Sequence, residues 1–164
     1  MNKVPFYIFI SFITSGFSQN DLKSLLKEHS KERVPYIYVK QLKKQTTPPI
    51  LLDARAWSEY QVSHLKNAIH VGYNKFKVSN IQKRIPNKNA KIVVYCSLGI
   101  RSDSIAGNLK KAGYNNVENL YGGIFEWKNN DLPIYNLVEK ETDSIHAFSE
   151  VWGKWVKKGI KVYE

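Results

Sequence analysis

The sequence predicts an α/β fold: a mostly parallel, five-stranded sheet with short helices on both faces. Three observations carry that expectation. Short runs at 36–39, 50–53, 68–71 and 116–120 have strand character and are bounded by turn residues. The run Ile92-Val93-Val94-Tyr95 is β-branched and apolar, as a fully buried strand is. Between these runs lie segments with helical spacing, and strands alternating with helices favour a parallel sheet.

In chain order, residues 1–18 stand apart. Met1-Asn2-Lys3 is a short basic start, and residues 4–17 are apolar apart from Pro5, small hydroxyl residues and Gly16. Gly16-Phe17-Ser18 places small residues where a signal peptidase reads. The segment is therefore expected to be a secretory signal peptide cut after Ser18. The run is too short and too interrupted for a membrane span, and no cysteine follows it to carry a lipid. The expected location is exported, either periplasmic or secreted, with no transmembrane anchor after cleavage.

Residues 19–35 form an N-terminal segment, read as an amphipathic helix over 20–33 with Leu22, Leu25 and Leu26 on its apolar face and Pro35 beyond its end. The first strand, 36–39, leads through a helical turn to the Thr46-Thr47-Pro48-Pro49 loop. The second strand ends at Asp53-Ala54-Arg55. A helix over 56–62, a strand over 68–71 and a helix over 76–85 follow, closed by Pro86-Asn87. After the Cys96 loop, Ile105, Leu109 and Ala112 share one face of a helix that Gly113 stops. A fifth strand over 116–120 breaks at Tyr121-Gly122-Gly123, and one or two helical turns run from 124 to 129. The main domain is thus expected over 36–136, with a Trp-rich extension over 137–164. In that extension Phe148, Val151, Trp152, Trp155 and Val156 fall at helical spacing. Such a face either folds back on the domain, the favoured reading, or docks a protein partner.

Composition excludes little. Hydrophobic content of 43% and charged content of 24% are ordinary for a folded domain. The formal net charge is +11, of which Lys3 alone lies in the first eighteen residues, leaving +10. The lysines are scattered rather than clustered, so attraction to small anionic substrates or envelope surfaces is expected and a nucleic-acid partner is not. No His/Cys cluster has ligand spacing, so neither a metal nor another cofactor is expected.

The chemistry concentrates at Cys96-Ser97-Leu98-Gly99-Ile100-Arg101-Ser102. Cys96 is the only cysteine in the chain and ends the apolar strand. A thiol facing the N-terminus of a helix meets unpaired N–H groups and the positive end of the helix dipole, which both favour the thiolate. Arg101 adds a permanent cation, and Gly99 relaxes the backbone so that N–H groups can converge. A reactive nucleophile is the natural reading of Cys96. One cysteine cannot form an internal disulfide, and an unpaired thiol is unusual in an exported protein.

Four stretches in order resemble the landmarks of a single-domain rhodanese. They are Leu52-Asp53-Ala54-Arg55 with Tyr60, Ser63-His64-Leu65-Lys66-Asn67-Ala68, Val94 through Ser102, and Leu120-Tyr121-Gly122-Gly123-Ile124-Phe125-Glu126-Trp127. The resemblance covers roughly 36–136 and implies the rhodanese fold and a sulfurtransferase of the thiosulfate:cyanide type. It implies that Cys96 takes the outer sulfur of thiosulfate or a related donor as a persulfide and passes it to cyanide or a thiol. Backbone N–H groups from Ser97 to Ser102 would hold the anion. Arg101 would either stabilise charge directly, the role favoured here, or pin the loop against a carboxylate. Asp53 would be structural, and Arg55 would line the pocket mouth or, the favoured of the two, form a surface ion pair. His64 would be structural too. The chain departs from the family in having Ser63 where Gly is common. Leu98 and Ile100 also make the pocket mouth less polar than in members with basic or hydroxyl residues there. The competing phosphatase with a related loop is set aside by the four residues between Cys96 and Arg101, one fewer than a phosphoryl group needs. The alternative from another class is a non-catalytic rhodanese-like binding or redox-sensing module.

Overall fold

The structure, a computed structural model, describes residues 19–32 and 34–163. The expected signal segment lies outside the described residues. Helix α1 (Gln19–His29) precedes strand β1 (Tyr36–Ile37) and α2 (Val39–Lys43). Then come β2 (Ile50–Asp53), α3 (Trp57–Val62), β3 (Ile69–His70), α4 (Val78–Arg84), β4 (Ile92–Tyr95) and α5 (Ile100–Lys111). The domain continues with β5 (Val117–Leu120), α6 (Gly123–Asn129) and β6 (Ile134–Tyr135). It closes with β7 (Glu141–Thr142), β8 (Ser144–His146), α7 (Glu150–Gly153) and β9 (Ile160–Val162).

Five strands form one sheet in the order β1-β5-β4-β2-β3, with every pairing parallel. The alternation of side chains along β4 explains the two layers of helices. Val93 and Tyr95 point into a core shared with α1, α2 and α6, while Ile92 and Val94 join Ile81 of α4 and Ile105 and Leu109 of α5 on the other face. A strand buried on both faces has to read as a continuous apolar run, and all four residues of β4 are buried. Its end therefore delivers Cys96 to the carboxyl edge of the sheet, at the start of α5, where parallel sheets place their sites.

Three elements differ from expectation. Strand β1 holds two residues, because Tyr38 caps a helix instead of extending the strand: its N–H donates to Gln41 Oε1 at 2.9 Å. Helix α1 stops at His29, four residues early, where Asp103 of α5 captures the chain. Asp103 accepts from Ser30 Oγ at 3.2 Å and from the Glu32 N–H at 3.0 Å. The C-terminal extension is helical only over α7. Phe148 adopts a left-handed φ of 68°, which no continuing helix allows, and β8 pairs in parallel with β9 instead.

The extension nonetheless folds back on the domain. Ile145, Ala147, Trp155 and Val156 are buried with Tyr60, Leu65, Phe125 and Ile134 in one core. His64 and Tyr135 exchange backbone hydrogen bonds of 2.8 Å each, tying the turn after α3 to β6. Among the described residues, no helix is long and apolar enough to cross a membrane.

Candidate active site

Cys96 is buried, with 2% of its surface exposed, and its sulfur lies within a ring of donors made by the α5 N-terminus. Gly99, at φ 113°, turns its N–H onto Sγ at 3.1 Å. A side chain would strain that left-handed backbone, which is why glycine stands there. Ser102 Oγ lies 3.5 Å from Sγ and 2.7 Å from Asn119 Oδ1, and Asn119 Nδ2 donates to the Gly99 carbonyl at 2.8 Å. Asn119, fully buried on β5, thus locks both the loop and the Ser102 hydroxyl. Burial, the largest influence on the Cys96 thiol, pushes its pKa up. The Arg101 charge, the Ser102 hydroxyl and the N–H groups of Ser102 and Gly99 outweigh it, and the thiol is held below its ordinary value.

Ser102→Ala removes the hydroxyl dipole that lies 3.5 Å from Sγ. It should move the pH midpoint of iodoacetamide alkylation of Cys96 upward. It should also slow alkylation at neutral pH by up to about tenfold, the factor that goes with one pKa unit.

Arg101 does not touch the sulfur. Its guanidinium makes a two-pronged pair with Glu59 of α3, Nη1 to Oε2 at 2.6 Å and Nη2 to Oε1 at 2.7 Å, and Nη2 also reaches Ser97 Oγ at 2.9 Å. Ser97 Oγ in turn donates to Glu59 Oε1 at 2.9 Å. Of the two roles left open by the sequence, the geometry is that of pinning the loop against a carboxylate. Glu59 is 1% exposed and also accepts the Ala56 N–H at 3.0 Å. Burial alone would raise its pKa, but the Arg101 bonds and charge, aided by Arg55 and the Ala56 N–H, bring it down to about 2. Sequence reasoning missed Glu59. Its one local signal is an acidic residue in the first turn of a short helix.

The carbonyls of the loop are held from the other side by α6. The N–H groups of Ile124 and Phe125 donate to the carbonyls of Cys96 and Ser97 at 2.9 and 3.2 Å. That approach is possible only because Gly123 has no side chain: a Cβ there would lie 2.2 Å from the Cys96 carbonyl oxygen.

Arg55 neither lines the pocket mouth nor forms a surface ion pair, contrary to both expectations. It is wholly buried, with Nε and Nη2 on the Asp53 carboxylate (Nη2 at 2.6 Å) and Nη2 also on the Ser63 carbonyl at 2.6 Å. Burial opposes its charge, and the Asp53 carboxylate holds its pKa above the usual guanidinium range. Asp53 also accepts the Arg55 N–H at 2.9 Å, so the pair shapes the turn after β2. His64 is buried too, stacked on Tyr60 at 4.1 Å with its ring nitrogens facing the Tyr60 carbonyl and Glu139. Neither residue reaches the cysteine loop.

Above the sulfur is a pocket of about 130 Å³, lined by Cys96, Ser97, Leu98, Ile100, Arg101, Phe148 and Trp152. The last two belong to the C-terminal extension. Among the described residues, no group of three or more His, Cys, Asp or Glu could hold a metal ion.

A buried thiol held ionisable by a helix N-terminus at the edge of a parallel sheet defines a cysteine-nucleophile α/β protein. The profile of the Rhodanese-like domain family matches residues 37–130, more than half of the chain, and the chain belongs to that family. Among curated proteins, a tRNA uridine(34) hydroxylase of Staphylococcus epidermidis is 39% identical over 80 residues, covering 46% of this chain and 24% of that protein. This chain therefore spans about a quarter of that relative's length. A solved thiosulfate sulfurtransferase from Pseudomonas aeruginosa superposes with a TM-score of 0.58 at 22% identity, covering 82% of this chain and 26% of the other. A rhodanese-related protein from Thermoplasma volcanium superposes with a TM-score of 0.53 at 23% identity, covering 61% and 96%. These two likenesses show the fold.

Proposed function

We propose that this protein is an exported sulfurtransferase that carries sulfane sulfur on Cys96. The observation that carries the reading is the ring of donors around Sγ, which stabilises a sulfur anion with backbone N–H groups and leaves it open to a pocket. In the first half-reaction the Cys96 thiolate attacks the outer sulfur of the donor. A new S–S bond forms, and the donor's bond to that sulfur breaks, its electron pair leaving with sulfite or another leaving group. In the second, cyanide or a thiolate attacks the outer sulfur of the persulfide and returns Cys96 as thiolate. Ser97, Leu98, Gly99, Ile100 and Ser102 form the cradle. Arg101 acts as a positioning residue whose charge also favours the anion.

Thiocyanate production from cyanide and a sulfane donor tests the reading. The wild-type protein should turn over, and Cys96→Ser should fall to background. Turnover surviving in Cys96→Ser would refute the assignment. Export through residues 1–18 is supported by the basic start, apolar run and small residues before Gln19. N-terminal sequencing of the protein from the producing cell's envelope or medium should begin at Gln19, and an intact Met1 there would contradict it.

A further inference from the structure

The walls of the Cys96 pocket indicate which donors it takes, an inference that rests on the sulfur-transfer reading. Thiosulfate brings two negative charges, and a site built for it should offer an uncommitted cation. Among the described residues lining this pocket the one cation is Arg101, whose Nη1 and Nη2 already face the Glu59 carboxylate and Ser97 Oγ, while the Phe148 ring lies 5.1 Å from Cζ. The pair with the buried Glu59 carboxylate is neutral overall. The remaining side-chain walls are apolar: Leu98 and Ile100 of the loop, and Phe148 and Trp152 beyond it.

The aromatic wall is held in place by its own segment. Phe148 has the left-handed φ of 68°, and its N–H donates to His146 Nδ1 at 3.1 Å, turning the ring over Arg101. Ser149 accepts from the Trp152 N–H at 3.4 Å as the cap of α7, which sets Trp152 beside it. Both residues lie beyond 37–130, the stretch that matches the family, so the C-terminal extension supplies this wall. A volume of about 130 Å³ that opens to solvent takes part of one ring or a short alkyl group, since an enclosed apolar cavity of about 150 Å³ holds a whole benzene.

We propose that Phe148 and Trp152 are specificity-determining residues that select a sulfane donor carrying an apolar organic group over thiosulfate. The organic thiosulfonates fit this class. The Cys96 thiolate attacks the terminal sulfur, the S–S bond to it forms as the sulfonyl–sulfur bond breaks, and the electron pair leaves with the sulfinate. The persulfide anion stays on Cys96. The organic group occupies the space between Phe148, Trp152, Leu98 and Ile100, where its burial favours binding.

The test compares benzenethiosulfonate with thiosulfate as donors, reading kcat/KM for thiocyanate formation. The aryl donor should be preferred. The preference should shrink about tenfold in Phe148→Ala and in Trp152→Ala, chiefly through KM of the aryl donor, and Trp152→Leu should retain most of it. Phe148 is half exposed, so its truncation does not put folding at stake. A preference for thiosulfate, or a donor ratio unmoved by both truncations, would overturn the proposal and leave sulfur transfer standing. Failure of both donors to place sulfur on Cys96 would overturn the sulfur-transfer reading itself, and this inference with it.

Discussion

Replacing Glu59 by Gln is expected to cost about 3–5 kcal/mol of stability, the range found when one partner of a buried ion pair is removed. The reason is the number of donors aimed at that one carboxylate. Arg101 supplies two, Ser97 Oγ one and the Ala56 N–H one, so all four approaches to the two oxygens are taken. A Gln amide turns an N–H₂ group towards at least one of these donors and leaves the Arg101 guanidinium without its counter-charge. Sulfur transfer should fall with stability, because the same bonds hold Ser97 and Arg101 in the loop. The pH dependence gives an independent sign. Glu59 has its pKa lowered from 4.5 to about 2 in the folded protein. Its contribution is therefore fully present above pH 4.5 and is lost as the pH falls towards 2. The size of that contribution is roughly 3 kcal/mol. Urea unfolding across this window should show a steep loss of stability in the wild-type protein and a flatter profile in Glu59→Gln. Parallel profiles would mean that the carboxylate does not carry the acid sensitivity.

The second large effect is expected at Gly123→Ala, a substitution that adds one methyl group. The new Cβ would lie 2.2 Å from the Cys96 carbonyl oxygen and 2.6 Å from that of Ser97, both backbone atoms that cannot rotate away. The residue also has a φ of 55°, which disfavours any side chain. Overpacking and backbone strain together should cost about 3 kcal/mol or more. To relieve the clash, α6 must withdraw the Ile124 and Phe125 N–H groups from the loop carbonyls. Displacing the nucleophile by even about 1 Å can cost on the order of a hundredfold in rate. Thermal unfolding and thiocyanate turnover should both report the change. A Gly123→Ala protein with wild-type turnover would show that the α6 contact does not position Cys96.

What could be read from the sequence was what local pattern encodes. The β4 strand, the Cys96 loop and the α5 helix with its stop near Gly113 follow from apolar runs, a cysteine at a strand end and glycine where φ is positive. The parallel order of the strands follows from the alternation of elements. What escaped was set by contacts distant along the chain. Glu59 meets Arg101 across 42 positions, and no periodicity links them. Arg55 carries a charge that pattern reading places at a surface or a pocket mouth, yet Asp53, two residues earlier, lets it be buried whole. Asp103 ends α1 from another helix. The apolar stripe of the extension was visible, but the left-handed turn at Phe148 that aims it at the Cys96 pocket is a property of the backbone, without a glycine to announce it.

The central claim is that Cys96 is a carrier of sulfane sulfur. Intact mass spectrometry of the protein, incubated separately with thiosulfate and benzenethiosulfonate beside a Cys96→Ser control, addresses it most directly. One sulfur atom should be gained, to a greater extent with the aryl donor, and the gain should be lost on adding cyanide and absent from the control. An unchanged mass with both donors, while Cys96 remains open to alkylation, would contradict it.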